Sequence, residues 1–441
     1  TKVLYQQGDD WFISGSEAEP KAGEGKLNVD LNMRLDPPAE WRQIFFEAWR
    51  LERDFFYVRN HHGTDWNVVY NRYSALLPYV RHREDLSYVL DLMGGEHAVG
   101  HHFVGGGDAG EIKSTPVGLL GADMVVENNK YRIKRIYTGE NWNPELHAPL
   151  AAPGVDVHEG DYLIAINGLD LIPPNLPETA LEGLAGKQVT ITVSSRPLKD
   201  GARNVTVVPI GSEVALRSRA WVEDNRRLVD KLSNGSLAYV WLPNTAEAGY
   251  TYFNRYYFGQ QDRQGAILDE RFNGGGDIAD YIIDIVARKL RGYFNNPVGK
   301  HEPWTEPLAG IWGPKVMLIN EFAGSGGDMM PYMFQQQQIG PLIGKKTWGG
   351  LVGIWDFPPL IDGGFITVPR GGFFNLQGEW DVENKGIAPD IDVEIKPKDV
   401  AAGRDPQLER AVNEALRLLK EHPVKLQKEP APPVRQRPRT E

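Results

Sequence analysis

Ser325 lies in the run Asn320-Glu321-Phe322-Ala323-Gly324-Ser325-Gly326-Gly327-Asp328, between an apolar stretch ending at Asn320 and a helix expected to open near Asp328. A serine on such a turn has an exposed hydroxyl, and a helix start beside it supplies free N–H groups and positive partial charge. Gly326 has no side chain, so its N–H can come close to an oxygen that gains charge during a reaction. A serine among glycines before a helix is also an ordinary cap. Upstream, Leu268-Asp269-Glu270-Arg271-Phe272-Asn273 runs as a strand into Gly274, Gly275 and Gly276, a loop that bares backbone donors and lets a substrate lie on it. A phosphate cradle would need a following Lys-Ser or Lys-Thr pair, which is not there. Together the two turns are much more specific than either alone.

Strands and helices must carry those turns. Leu237–Leu242, Ala266–Leu268 and Val316–Ile319 are short apolar runs of buried-strand type, with helical segments expected at about 278–291, 327–338 and 406–421. The economical reading of residues 213–424 is an α/β layered core. Nearer the N-terminus, Trp41, Phe45, Phe46, Trp49, Phe55 and Phe56 recur at helical spacing, as do Trp66, Val69, Tyr70, Tyr73 and Leu86, Val89, Leu90, Met93. Asp36 followed by Pro37 supplies a capping carboxylate and a first-turn proline. Residues 36–112 therefore read as a helical subdomain, preceded at 1–35 by an extension whose one strand candidate is Leu27–Leu31. Residues 425–441, rich in Pro and Arg, read as a disordered tail.

The chain has 441 residues, more than one hydrophobic core usually serves. Hydrophobic residues at 41% and charged residues at 24% are globular values. A net charge of −11 argues against attraction to nucleic acid or anionic membranes, and no apolar run is long enough for a transmembrane helix. With no cysteine, disulfides and thiol chemistry are excluded. Neither metal nor cofactor is expected, since no His-x-x-x-His motif lies on a helix beside an acid.

Residues 113–212 change to short alternating strands, among them Tyr131–Ile136 and Gln188–Val193. The loop Val117-Gly118-Leu119-Leu120-Gly121 precedes a strand, and its N–H groups, those of Leu119 and Gly121 included, are candidates for holding a terminal carboxylate. The fifteen-residue stretch Gly154–Gly168, which ends in Gly160-Asp161-Tyr162-Leu163-Ile164-Ala165-Ile166-Asn167-Gly168, resembles the strand and turn of PDZ domains, which bind an extended peptide at an open sheet edge. A β-barrel insert that binds nothing is the alternative.

The segments Asp269–Gly276, Ala323–Asp328, Ile339–Gly350 and Val382–Asp390 resemble the peptidase family that includes C-terminal-processing proteases and tricorn protease. The order of helical subdomain, PDZ insert and α/β core is similar to the second half of tricorn, from about 36 to 422. The resemblance implies a ClpP/crotonase-like core. Processing proteases use a Lys base, but Gly350 in Thr347-Trp348-Gly349-Gly350 stands where that Lys would be. The tricorn pattern implies a His instead, from the segment before the PDZ insert. Aligning Gly95-Glu96 and the closing Gly106-Gly107-Asp108 puts His101 there; His97 falls at a usually apolar position, and His102 points to the opposite face if the segment is extended. Glu383 matches the carboxylate that orients the imidazole, whereas Gly100 replaces the Ser of the archaeal pattern.

The resemblance thus implies a serine endopeptidase that cuts oligopeptides to short products. Ser325 is the expected nucleophile, His101 the base and Glu383 its partner, with Gly326 and Gly276 forming the oxyanion hole. Gly274, Gly275 and Phe294 are expected to contact substrate, Phe294 standing where the archaeal enzyme has an acid that favours basic P1 residues. The resemblance implies a homo-oligomer as well, a homo-hexamer on the family pattern, in the cytoplasm, or in the cell envelope if a longer chain carries a signal peptide. Two β-propellers precede this region in family members, so the chain is expected to be a fragment or a short homologue. The rivals are an inactive peptide-binding PDZ scaffold and a Ser-Lys processing protease using Lys345 or Lys346.

Overall fold

The computed structural model describes residues 1–28, 32–110, 112–140, 142–299, 302–355 and 358–435. It divides into two compact units, one formed by Thr1–His97, Phe103–Ala109 and Phe357–Ile366, the other by Ala98–His102, Gly110–Asp356 and Thr367–Glu441.

The first unit is built on three amphipathic helices: α1 (Pro37–Phe55), α2 (Trp66–Ser74) and α3 (Arg83–Gly95). The Asp36 side chain accepts the N–H of Ala39 and starts α1. Ile44, Phe45, Ala48 and Trp49 are buried along one stripe of that helix, each large side chain worth roughly 2–3 kcal/mol. Trp49 and Trp66 exchange indole-to-carbonyl hydrogen bonds of 2.8 and 2.9 Å, which satisfies both buried indoles. Residues 1–35, read from sequence as an extension, contain a hairpin of Lys2–Gln7 and Asp10–Gly15 in which Tyr5 stacks on Phe12 at 5.1 Å. The strand candidate Leu27–Leu31 lies partly outside the described residues, as do the last six residues of the tail. Residues 425–435 form neither helix nor strand.

In the second unit, β1 (Ala122–Glu127), β2 (Lys130–Ile136), β3 (Tyr162–Ile166), β4 (Val189–Ser194) and β5 (Arg203–Val207) pair antiparallel in that order, with Leu169–Asp170 added on β3. Every residue of β3 is buried, and Leu163, Ile166, Ile191 and Val193 centre a small core. β1 is an edge strand.

The chain then continues through α4 (Val214–Leu232), β6 (Leu237–Trp241), α5 (Glu247–Phe258), β7 (Gly265–Asp269), α6 (Ala279–Val286), β8 (Lys315–Ile319), α7 (Gly326–Gln336), β9 (Leu342–Gly344), β10 (Ile391–Asp392) and α8 (Pro406–Glu421). The five strands are parallel and lie side by side in sequence order. β7, β8 and β9 are buried at every residue, the mark of a parallel sheet covered on both faces. The helix expected at 278–291 ends at Val286, and a surface ribbon of Gly292–Phe294 with Trp304–Glu306 comes after it. The ends of β7 and β8 lead directly into the two glycine-rich turns, the edge at which open parallel sheets place their sites.

Candidate active site

Ser325 caps α7 with φ 58° and ψ −115°, a left-handed conformation that costs a non-glycine residue about 1–3 kcal/mol. Two hydrogen bonds hold it there: the Ser325 N–H donates to the Gly350 carbonyl at 3.0 Å and to Asp328 Oδ2 at 2.8 Å. Asp328 gathers the surrounding turns, since its carboxylate also accepts the Thr347 hydroxyl and the N–H groups of Gly349 and Gly350. Burial raises its pKa, and those hydrogen bonds pull the other way. From sequence Asp328 marked only a helix start; an acid three residues after a capping serine was the available signal for this wider role.

The glycine loop lies against Ser325. A Cβ on Gly275, whose φ is 86°, would sit 2.7 Å from Ser325 Cβ. Gly274 donates its N–H to the Pro243 carbonyl at 3.0 Å and Gly275 to Asn273 Oδ1 at 2.9 Å, so both of those donors are used. Among the described residues no acceptor takes the N–H of Gly276 or Gly326. The two glycines adjoin: a Cβ on Gly326 would collide with Thr245 Oγ1 and the Gly276 carbonyl and stand 2.9 Å from Gly276 N. Only glycine fits there, and two neighbouring donors stay open beside Ser325.

His101 belongs to the same unit as Ser325, because Ala98–His102 leaves the helices and joins the second unit. Each end of this short segment is tied down. Asn384 Nδ2 donates to the Ala98 carbonyl at 2.8 Å, the Gly100 N–H donates to Glu383 Oε1 at 3.0 Å, and the Thr367 hydroxyl donates to the His101 carbonyl at 2.9 Å. The other Glu383 oxygen accepts the N–H groups of Leu351 and Val352 at 2.6 and 2.8 Å. Glu383 thus fixes the chain on both sides of the imidazole, whose side chain hydrogen-bonds to the Val352 backbone. Burial lowers the His101 pKa, opposed by the charges of Glu383 and Asp328. Burial thus favours the neutral imidazole, the form a general base needs.

Trp348, unremarked as a site residue in the sequence, joins these parts. Its ring meets His101 edge-on with centroids 5.3 Å apart and an interplanar angle of 76°. A Cβ on Gly100 would be 2.8 Å from this indole, and Cβ atoms on Gly324 and Gly350 would also strike it. The indole thus fills the space of a Ser at 100 and of a Lys at 350. Lys345 is ion-paired with Asp392 at 2.8 Å. His97, the other histidine of suitable spacing, is buried in the first unit, stacked on Phe56 and Trp66, 3.3 Å from Glu52 and 3.0 Å from His61.

The sequence also assigns Phe294, Leu119 and Gly121 to substrate. Phe294 is exposed on the surface ribbon opposite Trp304, and none of its described contacts reaches Ser325. In the 118–121 loop, Leu119 donates its N–H to Ile210 at 2.8 Å and Gly121 to Glu213 Oε1 at 2.6 Å. Glu270 carries no sequence signal of a site; its carboxylate is fully buried without a hydrogen-bond partner among the described residues, and burial, reinforced by the charges of Asp328 and Asp269, pushes its pKa well up. No cluster of His, Cys, Asp and Glu suited to a metal ion occurs among the described residues, and none of their helices is long and apolar enough to cross a membrane.

An α/β core with this turn geometry and an antiparallel module before it is the architecture of a PDZ-bearing serine peptidase. Residues 236–393 match peptidase family S41, 118–212 match the tricorn protease PDZ domain and 37–95 match the tricorn protease C1 domain. The chain is 38% identical over 407 residues to tricorn protease homolog 1 of Streptomyces coelicolor, covering 90% of this chain and 37% of that protein. It is 32% identical over 430 residues to the tricorn protease of Thermoplasma volcanium, covering 97% and 41%. A crystal structure of the tricorn protease superposes with a TM-score of 0.87 at 29% identity, over 95% of this chain and 40% of that one. The chain belongs to the tricorn protease family and spans about two-fifths of the length of these relatives.

Proposed function

We propose that the chain is the catalytic portion of a serine endopeptidase that cuts oligopeptides to short products. His101 takes the proton of the Ser325 hydroxyl as the oxygen attacks the peptide carbonyl. The N–H groups of Gly276 and Gly326 receive the oxyanion, His101 passes its proton to the leaving amine, and water releases the acyl group. Glu383 holds the imidazole through the backbone on either side of it, and Trp348 fixes its edge where the archaeal pattern has a serine. The observation that carries this reading is the pair of open N–H donors beside a strained serine, in one unit with a buried histidine whose pKa burial lowers.

A serine-reactive phosphonate tests it. Covalent labelling of Ser325 that is lost in His101→Ala is expected. Labelling that survives that change would point to another base, and no labelling at all would favour the peptide-binding scaffold. We propose also that the protein works as a homo-oligomer in the cytoplasm; light scattering showing only a monomer at micromolar concentration would count against the assembly.

A further inference from the structure

The PDZ-type module holds a second row of backbone donors. A cleft of about 420 Å³ runs beside β1, lined by Leu119, Leu120, Met124, Leu181, Glu213 and Arg217 among others. Because β1 is an edge strand, its outer backbone groups can pair with an added peptide strand, and a peptide entering this way carries its terminal carboxylate toward the 118–121 loop.

The chain has already filled that loop. Gly118 donates its N–H to Leu181 at 2.9 Å and Leu119 to Ile210 at 2.8 Å. The Gly121 N–H goes to a carboxylate, Glu213 Oε1, at 2.6 Å. Glu213 Oε2 accepts both Arg217 Nε and Nη2, at 2.8 and 2.6 Å, so two charge-assisted N–H groups grip one carboxylate oxygen while Gly121 holds the other. Arg217 Nη1 is steadied by Asp123 Oδ1 at 2.7 Å and the Tyr137 hydroxyl at 2.9 Å. Glu213 is only 9% exposed, so solvent does not take this place. A backbone donor and a cation converge on one carboxylate at the end of a peptide groove, and that carboxylate belongs to the chain itself.

We propose that Glu213 is a built-in occupant of the terminal-carboxylate seat of this module, closing it to free peptide C-termini, and that Arg217 is the cation that receives such a terminus once Glu213 is gone. Two carboxylates cannot share one N–H and one guanidinium fork without like-charge repulsion. An incoming terminus therefore competes with a tethered, pre-positioned rival at high effective concentration.

The inference rests on the PDZ-type module and not on Ser325, and it is tested with turnover removed. In the full chain carrying Ser325→Ala, fluorescence anisotropy compares a labelled apolar peptide with a free C-terminal carboxylate against the same peptide amidated. With Glu213 present, the two should bind within about threefold of each other or not at all. Glu213→Ala should favour the free acid by about tenfold, near 1.4 kcal/mol, and adding Arg217→Gln should abolish that preference. Glu213→Gln, which keeps an acceptor for Gly121 but no charge, guards against a folding defect in the alanine variant and should favour the acid by a few-fold. The proposal fails if the chain with Glu213 intact already prefers the acid about tenfold. It also fails if a Glu213 variant with an unchanged melting curve shows no preference or no binding.

Discussion

Two loops of this chain look alike as sequence and differ in what they do with their backbone. Residues 118–121 and 273–276 are both glycine-marked turns joined to strands, each with a row of N–H groups. In the first, Gly118, Leu119 and Gly121 all find acceptors within the chain, Gly121 in the Glu213 carboxylate. In the second, Gly274 and Gly275 are paired, but the N–H of Gly276 is left open beside that of Gly326. Buried donors are nearly always satisfied, so the difference depends on what the neighbouring element brings. The start of α4 brings an acid, whereas the start of α7 brings glycine and further donors. A donor row becomes a site for a developing negative charge only where the chain withholds its own acceptor.

Removing the group served by the open row has the largest expected effect: Ser325→Ala should lower kcat by about 10⁴-fold or more on any cleaved peptide. Activity within tenfold of the starting protein would detach the open donors from catalysis. Next, Gly326→Ala puts a methyl against Thr245 and Gly276 and displaces both donors. A loss of about 10²- to 10³-fold in kcat, with KM changed much less, is expected. Gly100→Ser restores the residue of the archaeal pattern but forces its Cβ to 2.8 Å from the Trp348 ring. About a tenfold loss should result, partly recovered by adding Trp348→Ala; a gain from the single change would show that the indole is no substitute for that serine.

The pH profile of kcat/KM tests the histidine. Burial lowers the His101 pKa against the pull of Glu383 and Asp328, and the base acts only when neutral. Activity should rise with pH along an acid limb whose midpoint lies below the ordinary histidine value. Glu383→Gln removes an opposing negative charge, so the limb should move to lower pH still while the plateau drops; a move to higher pH would overturn the assigned electrostatics. The smallest effect belongs to the filled row: Glu213→Ala should leave kcat on a short amidated substrate within about twofold, because its carboxylate serves the other loop.

Much of this was legible in the chain itself. Apolar runs such as Val316–Ile319 declared buried strands, Asp36-Pro37 declared a helix start, and the serine between glycines declared a turn with an exposed hydroxyl. These are local properties, set by spacing and backbone preference over a few residues. The hairpin of residues 2–15 was less visible because its pattern is short and largely exposed.

Other features depended on distant partners and could be decided only by the folded chain. The segment of His101 is held by Asn384, Glu383 and Thr367, more than 260 residues away, and sequence spacing carries no information on such contacts. His97 differs from His101 by four positions, yet it packs among Phe56, Trp66 and Glu52 in the other unit. The availability of an N–H is likewise a tertiary fact: Gly121 and Gly276 are the same residue type with the same donor, and only the presence of Glu213 beside one of them separates a filled seat from an open one. The order of residues determines which groups exist and their local conformation; long-range packing decides which acceptor reaches them first.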